Sequence, residues 1–169
     1  QPREKDENIM TRRSWLLAVL VTAMAFALTA CGSTTTTADE LGYEDFDYID
    51  SFAQIWTRRD PGGDYIVYLY STSCATCEDI KDEMFAFAQN YTARHVYFFD
   101  ITGYQTSDPD VAQNFVAVTG ITQLYYPALL LVEDQGFDPT AQNRYFYSGK
   151  TRILPILYDL EQGVFTFGD

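Results

Sequence analysis

Apolar residues return along this chain in two rhythms, and the change from one to the other predicts the elements. In YEDFDYIDSFAQIWTRR, residues 43–59, Phe46, Ile49, Phe52, Ala53 and Trp56 recur at three- and four-residue steps. That is the single apolar stripe of an amphipathic helix. Asp60-Pro61-Gly62-Gly63 ends it. YIVYLY, Tyr65 to Tyr70, shows no alternation; a continuous β-branched and aromatic run suits a strand buried on both faces. CEDIKDEMFAFAQNY then carries Ile80, Met84, Phe87 and Ala88 on one side of a second helix, and HVYFFDI, His95 to Ile101, is a second buried strand. VAQNFVAV predicts a shorter helix, with Asp108 before it, Pro109 at its first position and Gly120 closing it.

The apolar run in YPALLLVED is a third strand and NRYFYSG a fourth, joined through Asp134 to Gln142 as an antiparallel hairpin with a long loop. TRILPILYDLEQG predicts a closing helix, in which Pro155 has to fall in the first turn. The order is helix, strand, helix, strand, helix, strand, strand, helix. It implies an α/β fold: a mixed four-stranded sheet with helices on both faces, its first crossovers parallel and right-handed, its last two strands an antiparallel edge. There is no internal repeat.

The first third of the 169 residues follows another logic. From Met10 the chain reads MTRRSWLLAVLVTAMAFALTACGS: Arg12 and Arg13, then an uncharged apolar stretch from Trp15 to Leu28, then small residues and Cys31. This is the layout of a secretory signal peptide. The stretch is also shorter than the ~20 residues of a permanent membrane-spanning helix. Leu28-Thr29-Ala30-Cys31 resembles the bacterial lipobox, which implies lipidation of Cys31 after cleavage. An ordinary signal peptide with an incidental cysteine, or an N-terminal anchor helix, are the competing readings. The organisation expected is an upstream extension over residues 1–9, a lipoprotein signal peptide over 10–30, a lipidated cysteine and polar tether over 31–41, and one folded domain over 42–169. Localisation follows: extracytoplasmic, anchored to the cell membrane through Cys31, with two acyl chains giving a stable hold.

Charge narrows the partners. From Cys31 onward there are seven Lys/Arg against 21 Asp/Glu, a formal −14. Such a surface argues against nucleic acid and against electrostatic adhesion to anionic lipid. With Cys31 assigned to lipid, Cys74 and Cys77 remain, and outside the cytoplasm a disulfide between them can form and persist.

Strand, Cys-x-x-Cys and helix in YIVYLYSTSCATC, the segment VTGITQLYYPALLLV and the closing NRYFYSGKTRILPILYDLEQG together resemble the thioredoxin family, over about Tyr43 to Gly163. The resemblance implies a thioredoxin-like fold and thiol–disulfide oxidoreductase activity. Cys74 would be the nucleophile and Cys77 the resolving thiol; Pro127 would follow a cis peptide and, with Tyr126, contact the substrate backbone. It implies no dissociable cofactor beyond the redox pair, protein thiols and disulfides as substrates, and a membrane redox partner. A helix N-terminus stabilises a thiolate, the nucleophilic form.

The chain departs from the family where Ser73 replaces a tryptophan, where Ala75 and Thr76 lie between the cysteines, and where Tyr68 stands in place of a buried aspartate. Glu78, Asp79, Asp82 and Glu83 follow Cys77 and compete with a thiolate for the helix end, which favours the disulfide form and hence a reducing couple. A metal site is not expected, since two cysteines and His95 supply too few ligands, and His95 reads as a strand-end residue. The rival reading is a non-catalytic thioredoxin-fold interaction or chaperone module serving secretion or export.

Overall fold

The computed structural model describes residues 41–58, 60, 63–133 and 136–165. The extension, signal peptide, Cys31 and most of the tether expected within residues 1–40 lie outside the described residues. Chain contacts gather Leu41–Asp169 into one unit.

Four strands, β1 (Tyr65–Tyr70), β2 (His95–Asp100), β3 (Ala128–Val132) and β4 (Phe146–Ser148), make one sheet in the order β2-β1-β3-β4. β1 and β2 run parallel, Tyr65 opposite His95 and Tyr70 opposite Asp100. β3 is antiparallel to both β1 and β4. The mixed α/β sheet of the thioredoxin-like pattern is therefore present, but parallel pairing holds only for the first crossover. The helices are α1 (Phe52–Thr57), α2 (Ala75–Glu78), α3 (Lys81–Asn90), α4 (109–119), α5 (Gln142–Tyr145) and α6 (Lys150–Glu161), with 3-10 turns at Tyr43–Asp45 and Pro139–Ala141.

Side chains alternate across a strand, so each strand of the sheet feeds two cores. Ile66, Tyr68 and Tyr70 pack with Cys77, Met84 and Leu157, beneath α2, α3 and α6. Tyr65, Val67 and Leu69 pack with Phe52, Ile55 and Phe115, beneath α1 and α4. The central strands are apolar at every position because both faces are covered.

Four expectations need correction. The single helix over 43–59 is split. Tyr43 and Phe46 pack on the α3 side, Phe46 with its ring centroid 4.7 Å from those of Phe85 and Phe98, whereas Ile49, Phe52 and Ile55 lie on the α1 side. Between them the backbone crosses the sheet edge: Phe98 N–H donates to the Asp47 carbonyl at 2.8 Å and Ile49 N–H to the Phe98 carbonyl at 2.9 Å. The helix after the cysteines is interrupted at Ile80, whose φ/ψ of −124°/11° leaves the helical region. Lys150 Nζ donates to the Asp79 carbonyl at that break, 3.0 Å away. Pro155 lies inside α6 and not in its first turn; it and Thr151, whose carbonyl loses its donor to the proline, are both exposed residues. The fourth strand is only Phe146–Ser148, because Gln142–Tyr145 is helical.

α4 starts and stops as expected, with Asp108 at its N-cap, Pro109 first and Gly120 left-handed at φ 70°. Its middle, Ala112–Val116, is a π-type turn, and the Asn114 carbonyl there accepts the Trp56 indole N–H. Among the described residues no helix is long and apolar enough to cross a membrane.

Candidate redox site

β1 delivers the chain to the sheet's edge of loops at Tyr70, and the next four residues turn it into α2. Cys74 N–H donates to the Ser71 carbonyl at 3.1 Å, and Cys74 itself is the N-cap of α2. Its Sγ accepts the Cys77 N–H at 3.0 Å, so one otherwise orphaned helix donor is aimed at the sulfur. The two cysteines are disulfide-bonded, with Cα atoms 5.2 Å apart. Cys77 is buried at 1% exposure, while Cys74 is half-buried and forms the accessible side of the pair.

The other wall comes from the start of β3. The Tyr126–Pro127 peptide is cis. Pro127 is buried, and its carbonyl accepts the Gly149 N–H at 2.9 Å, which ties the loop to the end of β4. The Tyr126 carbonyl oxygen lies 3.8 Å from Cys74 Sγ. Tyr125 and Tyr126 are 42% and 49% exposed, two of the few large apolar side chains open to solvent among the described residues. An accessible sulfur and a backbone acceptor thus share one rim, where an extended chain can lie against both. The sheet order, the Cys-x-x-Cys at the end of β1 and the cis-proline before β3 coincide here. The domain is thioredoxin-like in fold.

No family model matches the sequence, and no curated protein matches it. Among solved structures the thioredoxin-like domain is similar to the crystal structure of Chlamydomonas reinhardtii thioredoxin f2, at 15% identity and a TM-score of 0.45, over 68% of this chain and 96% of that one. The domain's own topology and its bonded Cys74–Cys77 pair are those of thiol–disulfide chemistry.

The helix beneath the pair is shorter than its sequence suggested. α2 has four residues before the break at Ile80, so the field at Cys74 comes from local N–H groups more than from a long macrodipole. Of the carboxylates after Cys77, Glu78 pairs with Lys81 at 3.5 Å on the surface. Asp79, Asp82 and Glu83 are exposed. Tyr68 is fully buried in the same core as Cys77, and its hydroxyl has no hydrogen-bond partner. Burial pushes its phenol far up, reinforced by the Tyr43, Glu78 and Tyr70 charges, so it stays a neutral phenol.

His95 does open a strand. It contacts Asp47 Oδ2 at 2.7 Å and stacks on Tyr97 with centroids 4.2 Å apart, at the opposite end of β2 from Asp100. Among the described residues no group of three or more His, Cys, Asp or Glu is placed to hold a metal ion. Sequence reasoning missed two features beside the site. Tyr43 stacks on Tyr70, with centroids 3.8 Å apart and planes 7° from parallel, covering the strand that leads to the cysteines. Ser71, Ser73 and Thr102 form a hydroxyl network under the turn. The serines stand next to Cys74 in the sequence, but nothing there marks a threonine on the loop after β2 as their neighbour.

Proposed function

We propose that this domain is a thiol–disulfide oxidoreductase working as a reductase, held outside the cytoplasm at the cell membrane through a lipidated Cys31. The observation that carries the redox reading is the half-exposed Cys74 sulfur, bonded to buried Cys77 and 3.8 Å from the Tyr126 carbonyl. In the reduced domain the Cys74 thiolate attacks one sulfur of a client disulfide; a mixed disulfide forms and the client's other sulfur leaves as a thiolate. The Cys77 thiolate then attacks Cys74 Sγ, releasing the client's second thiolate and leaving the Cys74–Cys77 disulfide. Two electrons from a dithiol-bearing membrane protein restore the starting state. Tyr126 and Pro127 hold the client chain alongside. The acidic residues after Cys77 support the reducing direction, since they disfavour the thiolate and so the dithiol state. The lipobox-like Leu28–Cys31 and the polar tether support the location.

Trapping with Cys77→Ser tests the reading. The variant stalls on the mixed disulfide, so client adducts are expected on non-reducing gels of intact cells and are expected to vanish when Cys74 is also replaced. Absence of adducts overturns the redox reading. A double Cys→Ser variant that retained partner binding and phenotype would install the interaction-module reading in its place. Metabolic labelling with a palmitate analogue, lost in Cys31→Ser, tests the anchor.

A further inference from the structure

We infer that Thr102 and Asp100 are positioning residues for Cys74, fixing the turn that carries the nucleophile through a chain of hydroxyls ending on one carboxylate. This rests on the redox reading of Cys74, and its geometry begins at the end of β2. The Asp100 carboxylate accepts both the N–H of Thr102, at 2.8 Å, and the Thr102 hydroxyl. An ionised carboxylate only accepts, so the single Thr102 hydroxyl hydrogen points to the two acceptors in its reach, the Asp100 carboxylate and Ser71 Oγ. The Thr102 oxygen is left as an acceptor. It accepts the Thr72 N–H at 2.9 Å, and the Thr72 hydroxyl lies 3.2 Å from it. Ser71 is 4% exposed, and its Oγ accepts from the Thr102 hydroxyl at 3.0 Å. Ser71 Oγ in turn accepts the Ser73 N–H at 3.3 Å and lies 3.0 Å from Ser73 Oγ.

Three successive backbone donors are thereby held. Thr72 N–H goes to Thr102, Ser73 N–H to the Ser71 hydroxyl, and Cys74 N–H to the Ser71 carbonyl. The turn between β1 and α2 is braced by a side chain some thirty residues away, on the neighbouring strand's exit. Cys77 is placed independently by its burial in the core. The separation of the two sulfurs, and so their effective concentration toward one another, depends on the brace that places Cys74.

The readout is the equilibrium between dithiol and disulfide forms, measured on the domain alone against a dithiothreitol redox buffer by alkylation shift. Thr102→Val keeps the β-branched shape and removes the acceptor; it is expected to move the pair about fivefold toward the dithiol, from the loss of about one hydrogen bond, or about 20 mV. Thr102→Ser is expected to stay within about twofold of the native chain, and Asp100→Ala to fall between the two. Both residues are exposed, and melts of the oxidised variants monitor folding separately. A Thr102→Val domain with an unshifted equilibrium overturns the inference, and so does a Thr102→Ser domain shifted as far as the valine variant. No client enters this measurement, so failure of the Cys77→Ser trap removes the proposed function without deciding this one.

Discussion

Tyr68→Phe is expected to make the domain more stable, against the usual direction of core substitutions. The Tyr68 ring is fully buried between Tyr70 and Phe98, with centroids 6.1 and 5.6 Å away, and its hydroxyl meets no partner. An unsatisfied buried hydroxyl costs about 1–3 kcal/mol of desolvation. Phenylalanine keeps the ring and its contacts and removes only the oxygen, leaving a void well below the size of a methyl-group deletion. The net expectation is a gain of about 1 kcal/mol, or about 3–5 °C in the melting midpoint of a domain this size. The assay is urea unfolding of the oxidised domain, with an unchanged slope required for the comparison. Tyr97→Phe serves as the opposite control, because the Tyr97 hydroxyl donates to Asp60 Oδ2 at 2.9 Å and its loss is expected to destabilise. If Tyr68→Phe instead lost more than about 0.5 kcal/mol, the hydroxyl would have to hold a bond in the folded state, and the assignment of Tyr68 as an inert substitute for a buried acid would be wrong.

Asp110→Ala is expected to cost about 1–2 kcal/mol in the same unfolding assay. Its carboxylate accepts Phe52 N–H at 2.9 Å, Ala53 N–H at 3.3 Å and the Asn114 amide at 2.7 Å, capping α1 from α4 where Ser51 makes no capping bond. Alkaline stability carries a definite sign. Burial pushes Tyr43, Tyr65 and Tyr70 up to about 12, above the ordinary tyrosine value near 10 that the unfolded chain has. Over that interval the folded state holds more protons than the unfolded one. The contribution of these residues is thus fully present below pH 10 and lost as the pH rises from 10 to 12. Tyrosinate absorbance followed alongside circular dichroism checks it, and phenols that ionised near 10 in the folded domain would contradict it.

Continuous apolar runs found β1, β2 and β3 to within a residue or two, because a strand covered on both faces leaves no other pattern. The start and stop of α4 were legible as well, since Pro109 and Gly120 act through their own backbone restrictions. Helical periodicity failed at 43–59 for a physical reason. It records which residues are apolar but not which core takes them, and Phe46 and Phe52 are drawn to opposite faces of one sheet. The break at Ile80 is equally silent in sequence, because the lysine that occupies the freed Asp79 carbonyl comes from α6.

By itself the sequence determined the α/β class, the Cys74–Cys77 spacing at a strand-to-helix turn, and Tyr126-Pro127 ahead of a strand. Each is a local matter of spacing, burial pattern or backbone restriction. Tertiary structure decided that β3 returns antiparallel to β1, that the Tyr126 carbonyl faces the accessible sulfur, and that Thr102 and Asp100 brace the turn beneath it. Those are contacts between segments some thirty to nearly seventy residues apart. They exist only once the two cores close over the sheet, and no pattern along the chain encodes which distant hydroxyl will complete a given hydrogen bond.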